Sequence, residues 1–160
     1  PSQNTIERIL HDVIGAKNKS SPQLKLHDIT LRRYHGKLMV VLNECQIFEP
    51  CEWLDKNHPL ILSNNLVLTL TIETKGISKK YWDNAQITLK MRQGGEKIRL
   101  PHRQGHHDLK KLFQDATIPP WQRETMPLIY LDDKLAVVGN LWIAAEFYTE
   151  TDLAYGISLD

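Results

Sequence analysis

The stretch Leu109-Lys-Lys-Leu-Phe-Gln-Asp-Ala-Thr-Ile-Pro-Pro-Trp-Gln-Arg-Glu-Thr-Met-Pro-Leu-Ile-Tyr130 changes its periodicity halfway along. Leu109, Leu112, Phe113 and Ala116 recur at helical spacing and leave Lys110, Lys111, Gln114 and Asp115 on the other side, so one short amphipathic helix is expected from Asp108 to Ala116. Pro119-Pro120 ends it, because proline lacks an N–H and drives its predecessor out of the helical region. Strands are then expected at Leu128–Leu131, Leu135–Val138 and Leu141–Ala144, with Asp132-Asp133 and Gly139-Asn140 as turns.

Upstream, Ile87, Leu89 and Met91 alternate with polar residues, Asn65 to Ile72 is rich in Leu, Val and Thr, and Gly94-Gly95 supplies a turn. Near the start, Ile6, Ile9, Leu10, Val13 and Ile14 share a helix face, with Asn4 as N-cap, Glu7 three residues on and Gly15 as terminator. Leu26–Leu31 and Leu38–Leu42 read as a hairpin across His35-Gly36. The expected class is therefore α+β. A helix-plus-hairpin segment (1–45) leads through a Pro-containing connector (46–63) into a mostly antiparallel, barrel-like or sandwich domain with one amphipathic helix (64–160).

With 160 residues and 41% hydrophobic content, the chain can fold around an ordinary core without staples. Its longest nearly uncharged apolar stretch, Pro59 to Ile72, is interrupted by Ser63, Asn64 and Asn65 and falls short of the ~20 residues of a membrane span. The start at Pro1, without an initiator Met or a leader, reads as a boundary within a longer protein, and a cytoplasmic setting is expected. Cys45 and Cys51 fit free thiols better than a disulfide framework.

The net charge of +1 conceals a strong segregation. Residues 75–111 carry ten basic against three acidic side chains, and residues 112–160 carry two against eight. A basic tract of this kind suits a polyanion, although surface pairing between basic and acidic parts would also explain it. Arg92, Gly94-Gly95, Lys97, Arg99, Arg103, His106, Lys110 and Lys111 lie on a strand-turn-strand that feeds a helix N-terminus and bring together guanidinium forks, ammonium groups and unpaired backbone N–H groups, all of which attract phosphate. Tyr81, Trp82 and Trp121 are interleaved aromatics, Trp121 also serving as a core or turn anchor. Arg32, Arg33 and Lys37 form a smaller basic cluster, with Arg32 and Arg33 on opposite strand faces. His102, His106 and His107 would be the start of a metal site, but no further ligand follows at zinc spacing. No nucleophile elbow, Walker loop or dinucleotide glycine motif is present.

The 109–130 stretch, with Arg92 and Gly94-Gly95-Glu96 before it and the apolar strands through Trp142 after it, resembles the C-terminal domain of bacterial tRNA(Ile)-lysidine synthetases. The first 45 residues, including Arg32-Arg33-Tyr34-His35-Gly36-Lys37-Leu38, look like the end of the domain that precedes it, and 46–85 matches weakly. The resemblance implies a parent ligase that uses ATP and lysine to convert the wobble cytidine of a minor isoleucine tRNA into lysidine. ATP and Mg would act in an N-terminal ATP-pyrophosphatase domain whose loop reads SGGxDS, absent from these residues. No catalytic residue, cofactor or metal is then expected in this chain. Its implied partners are tRNA(Ile) and that N-terminal domain. The implied tRNA contacts are Arg92, Lys97, Arg99, Arg103, His106, Lys110, Lys111 and Arg123, with Leu112, Phe113, Pro120 and Leu128 in the core. A structural or homodimerisation module without RNA contact, and a small His-rich metal enzyme, are the alternatives.

Overall fold

The computed structural model describes residues 2–16, 22–43, 47–63 and 66–160, and the chain divides into two compact units, Pro1–Cys45 and Gln46–Asp160. Cys45, Asn65 and most of the polar stretch after the first helix lie outside the described residues.

In the first unit the helix Gln3–Arg8 continues as a π-helical segment, Ile9–Ile14. Its cap is Ser2, whose Oγ accepts the Thr5 N–H at 3.3 Å; the expected cap, Asn4, lies inside the helix. Gly15 ends the segment, its N–H reaching back to the Leu10 carbonyl at 2.8 Å. Three antiparallel strands follow in the order Gln23–Lys25, Ile29–Tyr34, Lys37–Leu42. The expected first hairpin strand thus starts three residues late, because Leu26 donates to the Ile29 carbonyl and closes a tight turn instead. His35 and Gly36 both have positive φ, 47° and 76°, the geometry that matches strand twist in a two-residue hairpin. Val13, Leu24 and Leu31 form the small core of this unit.

The second unit holds two open five-stranded sheets and a two-stranded ribbon, with every ladder antiparallel and no closed barrel among the described residues. One sheet runs Trp142–Ile143, Lys134–Val138, Leu128–Leu131, Ile87–Lys90, Cys51–Glu52; the other runs Tyr148–Thr149, Gly76–Ser78, Ala154–Leu159, Leu66–Glu73, Leu60–Ser63. Leu89, Leu128 and Val138 from the first and Leu68 and Ile77 from the second enter one core, together with Leu109, Leu112 and Phe113 of the helix Leu109–Asp115. Burial alternates along Ile87–Lys90 and the first half of Leu66–Glu73, as strands with one dry face require.

Three expectations change. The stretch 46–63 is part of this unit and not a bare connector, because Phe48 and Trp53 are buried in its core and Cys51–Glu52 and Leu60–Ser63 pair as edge strands. The unit also has two helices beyond the expected one, Lys79–Asn84 and Pro120–Thr125. The preceding helix ends before the prolines, at Asp115, where Thr117 takes a left-handed φ of 57° and the Ile118 N–H returns to the Phe113 carbonyl; Pro120 instead sits at the first position of a new helix, where a missing N–H is harmless. Lastly, Pro119 is buried and Pro120 exposed, so the core proline is the former. Among the described residues no helix is long and apolar enough to cross a membrane.

Candidate nucleic-acid interface

The ribbon that carries the basic residues is short and well anchored. Lys97–Ile98 pairs with His107–Asp108, and the Leu109 N–H donates to the Glu96 carbonyl at 3.0 Å, tying the helix start to the strand start. Ile98 and Leu100 are buried, so alternation turns Lys97 and Arg99 outward. With His106 they line a recess of about 560 Å³, to which Lys134 and Glu146 also contribute. Lys110 and Lys111 lie exposed on the helix Leu109–Asp115. Among the described residues Arg99, Arg103, Lys110 and Lys111 enter no ion pair, whereas Lys97 lies 3.9 Å from Asp108.

Gly94 and Gly95 shape the turn, as their place in the sequence suggests, with left-handed φ of 96° and 84°, and two N–H groups of the turn, those of Gln93 and Gly94, are occupied by the chain itself. Glu96 Oε1 accepts from the Gln93 N–H at 2.6 Å and the Gly94 N–H at 2.8 Å. Its Oε2 lies 3.4 Å from Arg92 Nε. Arg92 is only 17% exposed along its side chain and stacks over the Phe113 ring, 5.5 Å from its centroid. Burial pushes the Glu96 carboxyl up, but the N–H donors of Gln93, Glu96 and Gly94 and the Arg92 charge outweigh it and hold the group below its ordinary value. Arg92 and this turn are therefore an internally neutralised structural unit that shapes the ribbon.

The other candidates lie in different surroundings. Arg103 borders a separate cleft. Arg123 is half-buried and its Nε donates to the Ile118 carbonyl. In the first unit, Arg33 donates through both guanidinium nitrogens to the carbonyls of Ile14 and Ala16, closing the end of the helix. Arg32 is half-buried and Lys37 exposed. Trp82, read as an interleaved aromatic, is fully buried and packs edge-on against Trp53, with centroids 5.5 Å apart. Tyr81 remains about half exposed, edge-on to Phe147.

The acidic tail neutralises less of the basic tract than its composition allows. Glu146 binds Lys134 at 2.5 Å, and that hydrogen bond raises the lysine's pKa. Glu150 accepts from the Tyr148 hydroxyl at 2.8 Å and lies 3.3 Å from His102 Nε2; both hold its carboxyl below the ordinary range. Among the described residues no three His, Cys, Asp or Glu side chains converge as metal ligands. Cys51 lies half-buried on an edge strand, and burial pushes its thiol up. Lys134 is the cation that sequence reasoning missed. It is separated from the basic tract by more than 20 positions, and only strand pairing brings it to the recess.

No SGGxDS loop occurs in the 160 residues, and of the paired glycines' N–H groups that of Gly94 is taken by Glu96 Oε1.

Residues 87–158 match the family described as the TilS substrate C-terminal domain, and residues 1–39 match the TilS substrate binding domain. The tRNA(Ile)-lysidine synthase of Coxiella burnetii is 38% identical over 143 residues, covering 87% of this chain and 32% of that protein. The enzyme of the same name from Methylococcus capsulatus is 32% identical over 151 residues, covering 92% and 34%. The chain thus spans about a third of the length of these relatives. A crystal structure of a TilS C-terminal domain shares the fold with a TM-score of 0.52 at 17% identity, covering 65% of this chain and 90% of that one. With two domain matches of this family and relatives of one name along most of its length, the chain belongs to the tRNA(Ile)-lysidine synthase family, of whose substrate-binding and C-terminal domains it carries the corresponding parts.

Proposed function

We propose that this chain is the tRNA-holding part of a tRNA(Ile)-lysidine synthase, with the unit Gln46–Asp160 contacting the tRNA through the Lys97–Arg99–His106 ribbon and the outward face of the Leu109–Asp115 helix. One observation carries this reading: Arg99, Lys110 and Lys111 are exposed and without an ion-pair partner among the described residues, on one continuous strand, ribbon and helix segment. Apolar burial of Ile98, Leu109, Leu112 and Phe113 behind them makes that segment rigid.

A duplex region of tRNA is A-form, and its deep major groove is closed to side chains. Recognition therefore rests on phosphates, 2′-hydroxyls and shape. Lysines supply mobile point charges for this and Arg99 a bidentate fork. Lysidine formation itself, with ATP and Mg, belongs in this reading to a nucleotide-binding domain that these residues do not contain. This chain contributes binding energy and registration of the RNA, and no cofactor of its own.

The test is binding of the full chain to tRNA(Ile) across a salt series, with Lys110→Glu/Lys111→Glu as the partner measurement. The expected result is log affinity falling with log salt by about 0.7–0.9 per phosphate contacted, and a loss of roughly tenfold or more in the double variant with its tryptophan fluorescence unchanged. A salt-independent affinity, or a double variant that binds like the parent, overturns the proposal.

A further inference from the structure

A second recess, of about 680 Å³, opens between the two five-stranded sheets. Its walls come from Lys134–Val138 and Trp142–Ile143 on one side and from Leu66–Glu73, Gly76–Ser78 and Ala154–Leu159 on the other. Arg103 and Lys75 border it; neither enters a close ion pair among the described residues, although the Lys75 charge acts on the Glu150 carboxylate. Two aromatic rings, Trp142 and Tyr148, are also part of its lining, as are Asn140 and Glu73.

The rings are held in place. Trp142 is half-buried and tilted against Phe113, with centroids 5.1 Å apart, so the core fixes one side of the indole. Tyr148 donates its hydroxyl to Glu150, which fixes the phenol. Glu73 Oε1 accepts from Thr71 Oγ1 at 3.1 Å, leaving acceptor capacity for an amino group in the cleft. The combination of flat rings, two exposed cations and both amide and carboxylate groups has a specific chemical match. A base stacks on aromatic faces, its phosphate pairs with Arg or Lys, and its edge is read by Asn or Glu. A purely apolar ligand would leave the Arg103 guanidinium unmatched, and a simple anion would make no use of the rings. A paired base cannot enter, because its faces are covered by its neighbours in the stack.

We propose that this cleft takes one unpaired nucleotide of the bound RNA, with its base against Trp142 and Tyr148 and its phosphate against Arg103 and Lys75. The inference rests on the RNA-binding reading above. It adds that the protein reads a single-stranded element as well as a duplex backbone.

The experiment compares the full chain's affinity for a blunt RNA hairpin with its affinity for the same hairpin carrying a single-stranded 3′ extension, at low salt. The extension is expected to tighten binding by roughly tenfold, as stacking of one base allows. Lys75→Glu is expected to erase that gain while retaining binding to the blunt hairpin; Arg103→Glu is expected to erase it and weaken both. Equal affinity of the parent for the two hairpins overturns the cleft proposal and leaves duplex binding standing. An undiminished gain in both variants also overturns it. Failure to bind either hairpin overturns the RNA-binding reading itself.

Discussion

Replacing Glu96 tests whether the paired-glycine turn is held together from within. Its carboxylate accepts two backbone N–H groups at 2.6 and 2.8 Å and faces Arg92 at 3.4 Å. Glu96 is 12% exposed and Arg92 17% exposed along their side chains. Hydrogen bonds to a charged group contribute about 1.5–3 kcal/mol each, and removing one partner of a buried pair costs about 3–5 kcal/mol. Gln93 and Gly94 are exposed, so water replaces part of the lost bonding. Glu96→Ala is accordingly expected to destabilise by about 3 kcal/mol. Glu96→Gln, which keeps an acceptor for the two N–H groups but not the charge, should cost about half that. In a unit of this size a 3 kcal/mol loss lowers Tm by roughly 10–15 °C. All four tryptophans lie beyond residue 45, so intrinsic fluorescence in a denaturant or thermal series reports on this unit. The pH dependence has a defined sign. The folded state holds the Glu96 pKa below its ordinary value of 4.5. Its contribution is therefore present above that pH and lost as pH falls through the depressed folded value. The stability gap between parent and Glu96→Gln should be constant above about pH 5 and close below it. A Glu96→Ala variant within about 0.5 kcal/mol of the parent, the usual range for an inert surface change, would refute the reasoning. A Glu96→Gln variant as damaged as Glu96→Ala would refute the division between hydrogen bonding and charge.

Two further perturbations follow from the same packing. Lys56 Nζ donates to the carbonyls of Trp82, Asp83 and Ala85 at 2.8, 3.1 and 2.7 Å, closing the C-terminus of the helix Lys79–Asn84; Lys56→Met should lose about 1–2 kcal/mol in denaturant unfolding, and an unchanged midpoint would contradict this role. A Cβ on Gly76 would stand 2.3 Å from the Tyr155 carbonyl oxygen, so Gly76→Ala must push apart the paired strands Gly76–Ser78 and Ala154–Leu159 and should cost about 1–3 kcal/mol, measured the same way; parent-like stability would show that the sheet yields freely there.

What could be read from the sequence divides along a physical line. Elements whose pattern is local were legible. The helix at 109–115 announces itself by Leu109, Leu112 and Phe113, and the hairpin turn by His35-Gly36. Elements made by burial at a distance were not. Trp53 packs in the core edge-on to Trp82, and nothing in Glu49 to Pro59 signals that partner. The helix Pro120–Thr125 contains no buried residue, so it has no apolar stripe to betray it. The candidate site shows the same division. Lys97, Arg99, Lys110 and Lys111 stand on outward positions that strand and helix periodicity indicates. Lys134 reaches the recess only through sheet topology, and the capture of Arg92 depends on how a short turn folds Glu96 back over its own amides.

That capture sets how many charges remain for an RNA. Composition alone gives the 75–111 tract an excess of seven positive charges, which would suggest a steep salt dependence. The structure removes Arg92 by pairing it with Glu96, shares Lys97 with Asp108, and employs Lys79 against Asp83. Of the ribbon, loop and helix cations proposed to meet a duplex backbone, Arg99, Arg103, Lys110 and Lys111 stay exposed and outside any ion pair among the described residues. Four such contacts correspond to a slope of log affinity against log salt of about −3 to −4. A measured slope near about −5 would mean that Arg92 and Lys97 also meet phosphates; Lys97 need only leave Asp108, whereas Arg92 requires Glu96 to release it when RNA binds. Glu96→Gln would then bind RNA more tightly than the parent, since part of the carboxylate's competition with phosphate would already be gone. If instead the slope stays near −3 and Glu96→Gln changes only stability, the turn is scaffold and the ribbon and helix cations are the contact surface.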